Sequence, residues 1–311
     1  MATQATAATS PAPRLAYGPL SWTETLKQPY FWPTLALAVG LALAWIAIVL
    51  RVEARTGIFL WADQYNFFKP LGENLANPYS FTLFPYVPWT AVIFYPLALL
   101  PVRVAVLVQM ILYFVLLALL IFRYGGRWWT VLLVLTSSLA YDTALEINLE
   151  WVTVIGLLVP PVLSGPFLLV KPHQALGAWL AYRWRDILWS GVLVFVIMAV
   201  SLVIWPNWVD GMLHAWFNNT LGEWGSRVNM AFSQIIPRPM SWGIGLALAF
   251  LAVRRRDVVL AVVAWQFFVP YVTFYGLMPV FALVATRWPW VALAISLAAW
   301  VPYSQVLLPF L

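Results

Sequence analysis

The feature that most constrains this chain is an uninterrupted apolar run. Phe31–Leu50 is 20 residues long and contains no charge. At 1.5 Å per residue such a run crosses the roughly 30 Å hydrocarbon layer of a bilayer as a helix. Comparable runs recur at Val104–Phe122 and Ile187–Trp205. Over the whole sequence 63% of residues are hydrophobic and only 9% are charged, against about 25% charged in soluble domains. A soluble enzyme, a disordered chain and a small secreted scaffold are all excluded. The expected fold is an all-α polytopic membrane protein.

Charge sets the expected orientation. Arg14 and Lys27 precede the first span, which places the N-terminus in the cytoplasm by the positive-inside rule. Residues 1–30 read as a flexible cytoplasmic tail, and 31–311 as one transmembrane domain. The first run follows too long a lead, with no cleavage site after it, to read as a signal peptide. Arg123 and Arg127 close the second clean span, and Arg254-Arg255-Arg256 is the strongest cytoplasmic marker. Two long polar stretches, about 51–87 and 206–240, then fall outside. Further apolar blocks interrupted by proline lie at Pro88–Leu100, Trp151–Val170 and Val258–Thr286. The total is roughly eight to ten membrane segments. Pro160-Pro161 makes Trp151–Val170 either a broken helix or a hairpin. The 20 Trp, 13 Tyr and 19 Phe are expected largely in the interfacial belts.

The residue inventory narrows the chemistry. There is no Cys and there are only two His, so thiolate chemistry and multi-histidine metal sites are excluded. No phosphate loop, zinc helix or nucleophile elbow occurs. The net charge of +6 points to anionic lipids rather than nucleic acid, because no soluble domain exists to carry a basic face.

A few charged residues stand at breaks in the apolar pattern. Asp63, within Trp61-Ala62-Asp63-Gln64-Tyr65, is either a general base with a raised pKa or a helix cap. Lys171 and His173, at the break Lys171-Pro172-His173, either hold a lipid phosphate or snorkel from a helix end. Arg227 and Arg238 can pair with a phosphate. Asp142, Glu146 and Glu150 recur every four residues and would share one helix face, as a cation site or a solvated helix end.

These pieces occur in a familiar order. Asp63-Gln64-Tyr65-Asn66-Phe67-Phe68 with Leu75-Ala76-Asn77-Pro78-Tyr79 resembles the first outer loop of the family 87 glycosyltransferases. These are GT-C-type membrane enzymes that use polyprenyl-phosphate-mannose. Phe84-Pro85-Tyr86-Val87-Pro88 and the Tyr95–Pro101 segment follow, and Lys171–Leu176 with Arg183-Trp184-Arg185 is similar to a later stretch of that family. Asn229-Met230-Ala231-Phe232-Ser233 resembles part of its second outer loop, and Val269–Leu277 a late segment. The chain is shorter than the family's members, with the shortfall around Val159–Pro166, and offers no evident second outer-loop acid.

The resemblance implies a GT-C-like transmembrane bundle and a polyprenyl-phosphate sugar donor, with a lipid or glycan as acceptor and membrane lipids around it. It implies inverting transfer with Asp63 as base. Lys171, His173, Arg227 and Arg238 would bind the donor phosphate, and Trp61, Tyr65, Tyr79 and Asn229 would contact sugar or acceptor. No cofactor or metal ligand is predicted, and divalent-metal dependence is left open. The setting is a multi-pass protein of a prokaryotic plasma membrane. Two other classes fit the residues: a transporter or flippase for a lipid-linked substrate, and a non-catalytic subunit with a membrane-protein partner.

Overall fold

A computed structural model describes residues 18–79, 84–219 and 229–307. The described chain is helical, with no strand among the described residues. The helices are α1 (Trp22–Leu26), α2 (Phe31–Thr56), α3 (Leu71–Asn74), α4 (Pro88–Ala98), α5 (Val102–Arg123), α6 (Trp128–Leu135), α7 (Ser138–Glu146), α8 (Glu150–Leu158) and α9 (Pro161–Leu168). They continue as α10 (Pro172–Ala175), α11 (Trp184–Ile204), α12 (Trp208–Asn219), α13 (Phe232–Ile235), α14 (Arg238–Arg255), α15 (Val258–Gln266), α16 (Met278–Arg287) and α17 (Pro289–Leu307).

Three of the described helices, α2, α5 and α11, are long and apolar enough to cross a membrane. They play different parts. Over half of the most apolar stretch of α5 (56%) is buried inside the protein, against 17% for α11. α5 is therefore the central post, while α11 shows most of its side chains to the surroundings. α2 and α8 pack along α5, and α9 joins α8 to α11. One continuous apolar core runs through α2, α5, α8, α15 and α16.

Much of the remainder is built from helices of half length. α6, α7, α8, α9, α15 and α16 have 8 to 10 residues each, or about 12–15 Å. The apolar stretch after Trp128 is not one helix: it breaks at Thr136 and Ser137 into α6 and α7. The block 151–170 is a hairpin: Val159 is extended and Pro160-Pro161 starts α9. The block 258–286 is also broken, with α15 and α16 separated by an irregular stretch and a single 3₁₀ turn. The stretch 206–240 is not a plain loop, since α12 lies within it.

Each break leaves backbone carbonyls without an intrahelical partner. In a water-poor interior these must be satisfied by side chains. Tryptophan supplies many of the donors. The Trp45 indole N–H donates to the Leu135 carbonyl at the end of α6, at 2.8 Å. Trp61 reaches Ala144 at the end of α7 (2.8 Å), and Trp89 reaches Pro166 in α9 (2.8 Å). Trp265 donates to Pro172 (2.8 Å) and Trp205 to Leu75 (3.1 Å). These indoles tie the ends of broken helices and turns to distant segments.

The N-terminal segment also departs from expectation. Residues 18–30 are not a tail; residues 1–17 lie outside the described residues. Ser21 and Glu24 form a capping box that starts α1. The Leu20 N–H donates to the Arg123 carbonyl (2.7 Å) and the Gln28 amide to the Phe122 carbonyl (2.7 Å), so this segment closes the end of α5. The Trp22 ring covers the Arg123 guanidinium at 4.9 Å.

If indole caps hold the broken helices, Trp45→Phe keeps an aromatic ring but removes the N–H and orphans the Leu135 carbonyl. The variant should lose about 1–3 kcal/mol and melt several degrees lower in detergent. Melting at the wild-type temperature would show that this carbonyl does not need the indole.

Candidate functional site

Within this apolar frame a polar cluster lies inside the protein. It is assembled from five separated segments: the turn at 61–68, the Tyr86 strand of chain before α4, the α7–α8 junction, the start of α10, and the 3₁₀ turn at Tyr275. Asp63 sits at the front. It precedes a π-turn over Gln64–Phe68, a distortion that recurs at functional sites. Trp61 fixes the approach. Its backbone is left-handed (φ 56°), its N–H donates to the Leu145 carbonyl (3.1 Å), and its ring is buried. Gln64 adds a second tie, donating to the Ile147 carbonyl at 3.0 Å and accepting from Gln109 of α5 at 3.0 Å. These bonds clamp the Asp63 turn to the C-terminal end of α7.

The helix expected to carry Asp142, Glu146 and Glu150 on one face is interrupted. α7 ends at Glu146, and residues 147–149 turn the chain before α8 begins at Glu150. Asn148, in that turn, donates from its side-chain amide to the Asp63 carboxylate. The Tyr86 hydroxyl donates to the Asn148 side-chain carbonyl at 3.1 Å. Glu150 is fully buried and ion-paired to Lys171, with 2.5 Å between Oε1 and Nζ. The Gln174 amide donates to the same Glu150 oxygen at 3.1 Å. Tyr86 and Tyr275 place their rings 5.9 and 5.5 Å from the Lys171 ammonium.

The start of α10 is held in turn by α15. Gln266 donates to the carbonyls of Gln174 (2.8 Å) and His173 (3.2 Å). Gly177 permits this approach, since a Cβ there would lie 2.6 Å from the Ala261 carbonyl oxygen.

Electrostatics follow from burial. Desolvation pushes the Asp63 carboxyl up to a pKa of about 6; Lys171 opposes the shift and Glu150 adds to it. Glu146 is pushed up to about 8, by desolvation first and then by Asp63 and Asp142. Desolvation and the neighbouring Lys171 push His173 down to about 3, so its imidazole is neutral at physiological pH. The cluster thus holds a carboxylate that is ionised at neutral pH yet basic, a carboxyl that keeps its proton, and one ammonium.

The structure brings together Asp63, Lys171 and His173, and adds Asn148, Glu150, Tyr86 and Tyr275 to them. The other expected residues are placed differently. Trp61 is buried and its indole committed, so it orients Asp63 and has no free face. Tyr65 is exposed, against Phe59 at 5.3 Å between ring centres. The Tyr79 hydroxyl donates to the Tyr86 carbonyl at 2.6 Å, which anchors the Tyr86 segment. Asn229 spends its amide on Pro270 (2.8 Å) and its carbonyl oxygen on the N–H groups of Ala231 (2.9 Å) and Val272 (3.1 Å), and so ties two loops together. Arg238 stands exposed at the start of α14, outside the cluster. Arg227 lies outside the described residues. No group of three or more metal-ligating side chains is found among the described residues.

Comparison with protein-family models, with curated proteins and with solved structures finds no match to this chain. The functional reading therefore rests on the geometry of the cluster and the sequence pattern.

Glu146 gives a test of this electrostatic environment. Its carboxyl binds a proton more tightly in the folded protein, with the pKa raised from 4.5 to about 8. Stability from this group is present below the unfolded value and lost as pH rises through the folded one. Glu146→Gln should therefore melt above wild type at pH 8 and higher, and with no such gain near pH 4.5. A difference that does not change with pH would show that Glu146 is not desolvated.

Proposed function

We propose that this chain is a GT-C-type membrane glycosyltransferase, which moves a sugar from a polyprenyl-phosphate donor to a lipid or glycan hydroxyl with inversion. The observation that carries the reading is the placement of Asp63 within electrostatic reach of Lys171, from segments far apart in sequence, with burial holding the carboxyl near 6. A base with that pKa is ionised at neutral pH and still able to accept a proton. The sequence resemblance to the family 87 enzymes names the donor class.

In this mechanism Asp63 accepts the proton of the acceptor hydroxyl. The hydroxyl oxygen attacks the anomeric carbon as the bond from that carbon to the lipid-phosphate oxygen breaks. The electron pair leaves with the phosphate, and Lys171 stabilises the charge. Asn148 orients Asp63, as Glu150 and the Tyr86 and Tyr275 rings orient Lys171. Neutral His173 can hydrogen-bond the phosphate but adds no charge.

The arginine-rich end formed by Arg123, Arg127 and the 254–256 triplet would face the cytoplasm. The 51–87 and 206–240 stretches would then lie on the outer face of a prokaryotic plasma membrane, with α2, α5 and α11 among eight to ten segments.

A transporter is the second reading, favoured by half-length helices whose ends meet at the buried Glu150–Lys171 pair. Flux of a labelled lipid-linked sugar through proteoliposomes, without any transfer, would select it.

Asp63→Asn should reduce transfer from a polyprenyl-phosphate sugar by about 10²-fold or more, with the folded protein recovered in normal yield. For wild type at saturating donor, kcat should rise with pH and level off above about 6, because the ionised form is the active one. Full activity in the Asn variant would remove Asp63 from the role of base.

A further inference from the structure

We infer that the Glu150–Lys171 pair is a closed anion site, which a phosphodiester opens by displacing the Glu150 carboxylate from the Lys171 ammonium while Glu150 takes up a proton from solvent. This inference deepens the reading of the cluster as a lipid-phosphate-sugar site and rests on it.

The geometry carries it in three parts. Lys171 is nearly inaccessible (5% exposed) and its charge is already spent on Glu150 at 2.5 Å. A phosphate cannot use this ammonium in full while the carboxylate keeps it. An ammonium has three N–H donors, so Lys171 can bond an incoming phosphate oxygen before it has released Glu150. Glu150 cannot then relax into water, because it is completely buried at the start of α8.

The third part is the poor support of Glu150 without its cation. One oxygen accepts from Lys171 and Gln174, while the other, Oε2, is buried with no hydrogen-bond donor. The titratable and charged groups within electrostatic reach are Asp63, Tyr86 and Tyr275, Tyr113 of α5, and Lys171 itself. Of these only Lys171 is a cation. An ionised carboxylate stranded there would cost several kcal/mol, and buried groups avoid that cost by taking a proton. A phosphodiester brings one negative charge and the proton brings one positive charge, so the net charge of the cluster is conserved. No covalent bond changes in this step.

The consequence is that anion binding and proton uptake are one event. Affinity should weaken by about tenfold per pH unit wherever the free protein must collect the proton. The probe is citronellyl methyl phosphate, a phosphodiester that keeps a single charge over the whole range tested. Asp63→Asn/Glu146→Gln protein removes the other two titrating carboxyls.

Calorimetry in two buffers of different ionisation enthalpy, at about pH 8, should report close to one proton taken up per probe bound. Glu150→Gln added to this background should abolish the uptake, flatten the pH dependence and tighten binding at high pH. The measurement on the Asp63→Asn/Glu146→Gln protein stands even where the added Glu150→Gln change prevents folding.

Binding that depends on Lys171 but takes up no proton would overturn the exchange and leave the site reading intact. No binding of the probe at any pH would sink the lipid-phosphate reading and this inference with it.

Discussion

The structure depends on one constraint: a backbone carbonyl at the end of a helix needs a donor, and a bilayer interior offers no water to provide one. A protein of full-length spans meets this constraint only at its surfaces. Here six helices of 8 to 10 residues end within the protein, and each end has to be closed. Indole N–H groups, glutamine amides and a tyrosine hydroxyl close them. The Tyr124 hydroxyl donates to Leu157 at the end of α8 (3.3 Å), and Gln64 donates to Ile147 just past α7. Because these donors come from distant segments, each cap is also a tertiary tie. The bonds that make the breaks tolerable are the same bonds that bring Asp63 against α7 and α10 against α15.

The polar cluster is a product of those breaks. α8 is buried on nearly every side, so a charged residue at its first position needs a partner inside the protein. Lys171 meets Glu150 from the start of α10, and Asp63 and Glu146 share the surrounding field. One ammonium therefore serves several carboxyl groups; desolvation by burial is the main cause that holds Asp63 and Glu146 above their ordinary values, and the neighbouring carboxyls add to it. Tyr86 links the parts: its hydroxyl orients Asn148, which orients Asp63, while its ring faces Lys171.

The three long helices, the proline hairpin at 159–161 and the arginine-marked ends are legible in the sequence, because each has a local cause in length, charge or proline. Asp63 and Lys171 are legible as charges at breaks in an apolar pattern. Glu150 and Asn148 are not. Asp142, Glu146 and Glu150 have helical spacing, and no proline or glycine stands at 147–149 to announce a turn. That turn is held by Trp61 and Gln64 from some 80 residues away, a cause that no local pattern contains. The tryptophan hydrogen bonds are hidden for a related reason. A count of Trp does not show which distant carbonyl each indole meets.

Trp61 joins two demands that seldom fall on one residue. Its backbone lies in the left-handed region, where glycine is most at ease and a large side chain carries a penalty. Its indole closes the end of α7, which glycine cannot do. Substitution toward backbone comfort removes the cap, and an aromatic ring without an N–H keeps the penalty and loses the bond. The turn that presents Asp63 is thus pinned at a position with almost no neutral neighbours in sequence space. Drift in this protein should be slow there, even though the side chain touches nothing that reacts.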